Sequence, residues 1–226
     1  MNRNDLASWS DEQVKELADS GDYNAMYEYG ARLYVRDENR EAFKYLYPLV
    51  KFNNSIIWGY VIDIVYGYEH DLMSDKELFE LLLRKHNYSS SYHSYILAEF
   101  YRLGRGTRRN YKKYIELLGI CSRDGSAYAT YELAKCYERG YAVKKSLKKA
   151  YQTYNSFVDD HCRPDYWCSY KTAIYRLHQW GGAKKDMAMI KYDLAFAAKV
   201  HDEARDLHIE LFGEDPVPDK PRRAKQ

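Results

Sequence analysis

The chain has 226 residues, of which 46% are apolar and 30% are charged. An apolar fraction this high supplies a folded core and excludes a disordered chain. No apolar run approaches the roughly 18 residues that a membrane helix needs, and the N-terminus lacks the apolar stretch of a secretory signal, so we expect a cytoplasmic protein. The 25 tyrosines, set against 5 prolines and 12 glycines, favour helices packed through large side chains.

The first predicted element is a short helix near the N-terminus. Ser10 and Gln13 have the spacing of a capping box, in which each side chain accepts a hydrogen bond from the backbone N–H group of the other. We therefore predict a helix over 11–19 and interpret residues 1–20 as an N-terminal capping helix.

The chain then repeats itself. A shift of 36 residues places 92–113 over 128–149 without a gap, and eight of the 22 aligned positions are identical. Weaker copies precede and follow this pair, and a repeat of this length is typical of stacked supersecondary units. We predict five units, over about 21–54, 55–90, 91–126, 127–162 and 163–200.

Each unit has the pattern of two helices joined by a loop. Ala127, Tyr131, Ala134 and Tyr137 recur at helical spacing and form one apolar stripe. Gly140 follows where the first helix should end, so we expect it to adopt a positive φ. Residues that are typical N-caps precede four of the second helices: Ser74, Asn110, Ser146 and Asp186.

The repeated unit resembles the Sel1-like repeat, a relative of the tetratricopeptide repeat. Residues 127–154 match the pattern of that family at ten positions: Ala127, Ala129, Tyr131, Leu133, Tyr137, Gly140, Val143, Lys149, Ala150 and Tyr154. Ala134 and Ala142 stand where the family has glycine, which we interpret as mild departures. In the first unit, Pro48 lies inside the second helix and should kink it.

The repeat and the resemblance together predict an all-α fold. We expect an α/α solenoid of about five Sel1-like helix-loop-helix repeats with capping helices at both ends. Residues 201–213 are the predicted C-terminal capping helix. Residues 214–226, which are rich in proline and charge, are the predicted disordered basic tail.

No catalytic motif is present in the sequence, so we predict a protein that is not an enzyme and uses no cofactor. The four cysteines, among them Cys162, lack the spacing of a zinc site, and we predict no metal. We interpret the cysteines as buried thiols. His201 and His208 would share a helix face, and we interpret them as surface residues.

The resemblance implies that the first helices line a concave side where another protein or an extended peptide binds, as in the adaptors, scaffolds and regulators of that family. One stripe of these helices lies opposite the apolar stripe and includes two tyrosines that packing does not need. We predict that this stripe binds the partner: Asn24, Glu28, Tyr92, Ile96, Glu99, Tyr128, Glu132, Lys135 and Arg139.

An alternative function follows from the charge distribution. Residues 1–80 carry 8 basic and 16 acidic side chains, whereas residues 81–200 carry 22 basic and 10 acidic ones. Many of the basic residues fall in the loops between helices, where stacked units would align them as a basic ridge: Arg105, Arg108, Arg109, Lys112, Lys144, Lys145 and Lys148. Such a ridge favours the binding of an acidic protein, a nucleic acid or another polyanion. We expect no membrane partner.

Overall fold

The computed structural model describes residues 3–86, 91–158 and 165–219. Within these ranges every regular element is helical, with thirteen α-helices and two 3-10 helices. This confirms the predicted all-α fold class. The chain divides into two compact units, Met1–Asn110 and Tyr111–Gln226, and the division falls inside the repeat predicted over 91–126.

The first unit contains seven α-helices in the part of the chain that is described. Their bounds are α1 Arg3–Leu6, α2 Asp11–Asp19, α3 Tyr23–Val35, α4 Asn39–Leu46, α5 Ser55–Gly67, α6 Asp75–His86 and α7 Ser91–Leu103. Consecutive helices form antiparallel pairs, α3 with α4 and α5 with α6. The first helices α3 and α5 also contact each other, and α2 packs against α3.

The second unit follows the same plan. Its helices are α8 Tyr111–Arg123, α9 Ala127–Arg139, α10 Leu147–Val158, α11 Tyr166–His178, α12 Met187–Ala197 and α13 Asp202–Phe212. The pairs are α9 with α10 and α11 with α12. The first helices α9 and α11 contact each other, and α13 packs against α12.

The helix ends are where the sequence predicts them. Helix α2 spans Asp11–Asp19, and its capping box is formed by Ser10 and Gln13. Gly140 ends α9 with φ 76°, so its predicted positive φ is confirmed. Helix α4 ends before Pro48, and the chain continues as a 3-10 helix over Tyr47–Phe52, because proline has no backbone N–H for the α-helical ladder.

The core consists of helices that are apolar on more than one side. Helix α5 is the extreme case, and seven of its thirteen residues are buried: Ile57, Trp58, Gly59, Val61, Ile62, Ile64 and Val65. A helix that is apolar nearly all round must be covered on several sides, and α5 contacts α3, α4 and α6.

A buried ion pair links α11 and α12, the two helices of the last repeat in the second unit. The Arg176 guanidinium on α11 donates to the Asp193 carboxylate on α12 and to the Asn155 side chain on α10, the latter at 2.8 Å. Both charged side chains are buried, so each depends on the other to offset its lost hydration. One side chain thus fixes three helices relative to each other.

Two inter-helix loops pack their glycines against the start of the preceding second helix. A Cβ atom built on Gly181 would lie 2.7 Å from the Leu147 carbonyl carbon, and one built on Gly106 would lie 2.6 Å from the Asp75 carbonyl carbon. Real Cβ atoms do not approach a backbone so closely. Glycine is required here because the loop of one repeat touches the neighbouring repeat through its backbone.

We expect Gly181→Ala to destabilise the protein more than Gly182→Ala does. Both glycines have positive φ, 64° and 83°, so both variants lose about 1 kcal/mol through backbone strain. A Cβ on Gly182 meets nothing within 4 Å, whereas one on Gly181 overlaps the Leu147 carbonyl group. We expect Gly181→Ala to cost a further ~2 kcal/mol. Urea unfolding of both variants measures the difference, and equal losses would contradict this loop contact.

Candidate functional site

The predicted stripe in the first unit begins on α3, where Asn24 and Glu28 are partly exposed. Glu28 accepts a hydrogen bond from the Arg32 Nε atom at 3.0 Å. The same guanidinium donates to the Asp11 carboxylate at 2.9 Å and to the Leu6 carbonyl oxygen at 2.8 Å. Arg32 therefore fixes the N-terminal helices beside the first-helix face of this unit.

A surface cavity of about 320 Å³ lies on this face, between α3 and α5. Three apolar or aromatic residues and three charged ones line it: Ala31, Val35, Tyr60, Glu28, Arg32 and Arg36. Val35 is 79% exposed and offers an apolar contact at this cavity. The cavity can receive one apolar side chain of a partner.

A buried polar cluster lies between α5, α6 and α7, and sequence reasoning missed it. The His93 Nε2 atom lies 3.2 Å from an Asp63 carboxylate oxygen, and the buried Lys85 ammonium donates to the Ser55 carbonyl oxygen. Burial lowers the pKa of Lys85. Tyr92, next to His93, is exposed as predicted. The 36-residue shift held a signal for His93, because it aligns with Ala129, a position that matches the Sel1-like pattern.

The prediction that Ile96 is part of an exposed stripe is wrong, because its side chain is fully buried. The apolar stripe of α7 is wider than the sequence pattern indicated. It includes four buried residues at helical spacing: His93, Ile96, Leu97 and Phe100. Glu99 stays partly exposed and accepts hydrogen bonds from the Arg102 guanidinium at 2.5–2.9 Å.

In the second unit the predicted residues follow one side of α9. Tyr128 is 58% exposed, and Arg139, three turns further along, is also exposed. Between them the Lys135 ammonium donates to the Glu132 carboxylate at 2.6 Å and lies 5.0 Å from the centre of the Tyr131 ring. The lysine is held by an ion pair and a cation–π contact together.

Helix α11 extends this surface with two residues that were not predicted. The Trp167 ring lies 5.7 Å from the Tyr131 ring and is 47% exposed. Lys171 donates to the Glu138 carboxylate on α9 at 3.1 Å. The 36-residue shift places Trp167 over Tyr131 and Lys171 over Lys135, but the fifth repeat matches the pattern too weakly for that alignment to stand out.

We name this surface the α9–α11 face. It combines aromatic rings with ion pairs that lie beside them, and six residues define it: Tyr128, Tyr131, Glu132, Lys135, Trp167 and Lys171. Large aromatic side chains that lose little entropy on binding are the usual anchors of protein interfaces.

The residues of the predicted basic ridge belong to both units and differ in their pairing. Arg105 departs from the prediction, because its guanidinium donates to the Asp75 carboxylate at 2.6 Å and lies 4.7 Å from the Phe100 ring centre. Its charge is neutralised within the first unit. The other six ridge residues are exposed: Arg108, Arg109, Lys112, Lys144, Lys145 and Lys148.

The prediction that His201 and His208 are surface residues is wrong, because both are buried. The His201 ring centroid lies 3.6 Å from that of Trp167, and the His208 Nδ1 atom lies 3.0 Å from the Glu214 carbonyl oxygen. Among the described residues, no group of three or more His, Cys, Asp or Glu side chains is placed to hold a metal ion. Cys162 lies outside the described residues.

The start of the predicted disordered tail is packed against the last helices. Asp215 accepts a hydrogen bond from the Arg205 guanidinium at 2.6 Å, and the Lys191 ammonium lies 2.7 Å from a Glu214 carboxylate oxygen. Residues 220–226 lie outside the described residues. The described helices include none that is both long enough and apolar enough to span a membrane.

Comparison with solved structures identifies the fold as that of Sel1 repeat proteins. A Sel1 repeat protein from Oxalobacter formigenes matches 89% of this chain with a TM-score of 0.71 and 16% sequence identity. A protective antigen present in uropathogenic Escherichia coli strains, which displays an SLR fold, matches 90% of it with a TM-score of 0.61 and 16% identity.

The chain spans only 59% and 52% of the lengths of those two proteins. At this level of identity the likeness concerns the fold alone. No family model matches the sequence, and no curated protein matches it. The predicted resemblance to Sel1-like repeats is confirmed at the level of structure.

We expect the contact between Asp11 and the two arginines beside it to make stability depend on pH. Hydrogen bonds from Arg36 and Arg32 hold the pKa of Asp11 below its usual range. A carboxylate whose pKa is lower in the folded state stabilises the fold above pH ~4, and this contribution is lost as the pH falls through the folded pKa. Asp11→Asn should therefore lower the free energy of unfolding by about 1 kcal/mol at pH 7 and change it little near pH ~2.

Urea unfolding at the two pH values measures this effect. Glu16→Gln, on the exposed side of the same helix, is the control and should change stability little at either pH. An equal loss for Asp11→Asn at both pH values would show that the ionised carboxylate is not what stabilises this contact.

Proposed function

We propose that this chain is a non-enzymatic protein-interaction module, an adaptor, scaffold or regulator, that binds another protein or an extended peptide on the faces of its first helices. Its support is the Sel1 repeat fold together with the residues that the first helices leave exposed. Proteins built from stacked helix pairs use extended surfaces of this kind for binding.

The α9–α11 face is the observation that carries this proposal. Tyr128 and Trp167 are about half exposed, although aromatic rings of this size are normally buried further. Trp167 is held by Tyr131 and His201, so a partner would meet a ring that is already positioned. Pre-positioned rings lower the entropic cost of binding.

The pairing of charges on this face favours a protein partner over a purely electrostatic one. Lys135 pairs with Glu132, and Lys171 pairs with Glu138. The two lysines of the face are thus each paired with a carboxylate beside its aromatic rings. Such an arrangement can orient a peptide through hydrogen bonds while the rings supply most of the affinity.

We also propose that the protein is cytoplasmic, and its cysteines support this location. Cys121, Cys136 and Cys168 are buried and free, and burial raises the pKa of Cys121 to about 11. Unpaired thiols are the usual state of cysteine in a reducing compartment.

Selection of peptides from a random library displayed on phage, with the full-length chain as bait, tests the proposal. We expect the selected peptides to bind each of two variants, Tyr128→Ala and Trp167→Ala, at least about 30-fold more weakly than they bind the unaltered chain. This factor corresponds to ~2 kcal/mol. Tyr128 is exposed, so its removal should barely change folding stability. Fluorescence anisotropy of one labelled selected peptide gives the affinities.

Tyr192→Ala is the matched control, because Tyr192 is 59% exposed on the second helix α12. This variant removes the same ring from the opposite member of a helix pair and should bind the peptide normally. Selected peptides that bind the Tyr128 and Trp167 variants as well as the unaltered chain would place the binding surface elsewhere.

A further inference from the structure

Two neighbouring loops of the second unit share a pattern that the protein-binding proposal does not use. Each loop follows a first helix and presents an exposed aromatic residue, followed within five positions by two exposed lysines. The two sets are Tyr141 with Lys144 and Lys145, and Trp180 with Lys184 and Lys185.

Packing brings the two loops together at the start of α10. Gly181, next to Trp180, lies against the backbone of Leu147 and Lys148, which begin that helix. The other loop leads directly into the same helix through Lys145 and the cap residue Ser146. The aromatic residues and lysines of both loops therefore surround one helix end. We name this surface the lysine–aromatic edge and define it by Tyr141, Lys144, Lys145, Lys148, Trp180, Lys184 and Lys185.

The five lysines of the edge have no acidic partner within the described part of the chain. No carboxylate of a described residue lies within 4.0 Å of their ammonium groups. In the first unit Arg108 and Arg109 are likewise exposed, but four other arginines near its loops and helix ends are each paired with a carboxylate: Arg32, Arg36, Arg40 and Arg105. The positive charge of the edge is left for a ligand.

The position of the lysines increases the local positive potential. The first turn of α10 contains no acidic residue and includes Lys148 and Lys149, at the end of a helix where the backbone dipole is already positive. Helices α2 and α13 instead begin with two acidic residues each. Lysines at the start of α10 interact unfavourably with the positive end of the helix dipole unless an anion lies near them.

The aromatic residues indicate which kind of anion fits. The Tyr141 ring is 40% exposed and meets the Tyr111 ring edge to face at 5.4 Å. The Trp180 ring is 42% exposed and stacks on the His178 ring at 4.8 Å. Each ring also contacts a second aromatic ring, Tyr141 that of Tyr114 and Trp180 that of Tyr175, so both are held in place while they stay partly exposed. Rings of this kind beside lysines form the stacking platforms of proteins that bind single strands.

We propose that the lysine–aromatic edge binds single-stranded nucleic acid. The lysines contact successive phosphates, and bases stack on Tyr141 and Trp180. Adjacent repeats lie about 10 Å apart, a distance that one or two nucleotides of a single strand bridge. This binding uses loops and second-helix ends, so it is independent of the proposed peptide binding on the first helices.

The test measures binding of a fluorescein-labelled oligothymidylate of about 15 nucleotides to the full chain by fluorescence anisotropy. The affinity should fall steeply as the salt concentration rises from about 50 to 200 mM. Changing Lys144, Lys145, Lys184 and Lys185 to Gln together should lower the affinity at least about 10-fold at 100 mM salt. It should also reduce the slope of log affinity against log salt by about 2 to 3, near 0.7 for each lost contact.

A control with the same change in net charge replaces four exposed lysines of the first unit by Gln: Lys15, Lys44, Lys51 and Lys76. This variant should bind the oligonucleotide as the unaltered chain does. A second variant, Tyr141→Ala with Trp180→Ala, should lower the affinity about 10- to 100-fold with the salt slope unchanged, because it removes stacking and no charge.

Two results would overturn the proposal. The first is no binding of the oligonucleotide at 50 mM salt, or equal losses for the two lysine variants, since either shows that the edge is not a phosphate site. The second is equal binding of poly-L-glutamate together with no effect of the aromatic variant, which would assign the edge to an acidic protein. In both cases peptide binding by the α9–α11 face is measured separately and is unaffected.

Discussion

The burial of the first helices on several sides is the constraint on which the rest of the structure depends. Helix α5 contacts α3, α4 and α6, and helix α11 contacts α9, α10 and α12. A helix covered in this way keeps only a narrow strip in contact with solvent. On this strip the first helices keep some large side chains exposed, such as Tyr92 on α7, Tyr128 on α9 and Trp167 on α11. The candidate binding faces are thus what remains of the first helices after the core has formed.

The charged residues on these strips pair along their own helices. Glu28 with Arg32 and Glu132 with Lys135 are examples at helical spacing. Each such pair contributes little to stability, about 0.2–0.5 kcal/mol, but it fixes the direction of a long side chain. The paired side chains are consequently held in fixed positions on these strips.

Features set by local sequence were predictable, whereas features set by contacts between repeats were not. Capping residues, Gly140 and Pro48 act within a few residues of themselves, so the helix ends followed from the sequence. The burial of Ile96 and the pairing of Arg105 with Asp75 depend on which helix lies opposite, at a distance of about 30 residues. His208 is buried because the chain after α13 folds back over it, and composition had suggested disorder there. Ala142, interpreted as a mild departure from glycine, adopts φ 62°, so that position does require glycine-like backbone geometry.

One repeat position decides whether the contact between a loop and the preceding second helix includes an ion pair. Asp75 is the first residue of α6, and it accepts from Arg105 in the loop of the next repeat. At the same 36-residue spacing, α8 begins with Tyr111 and α10 begins with Leu147, and neither has a carboxylate to offer. Leu147 still receives the next loop, since Gly181 packs on its backbone. The loop contact is therefore kept in both units. Among the described residues an ion pair between Arg105 and Asp75 accompanies it in the first unit, whereas the loop lysines of the second unit have no carboxylate partner there.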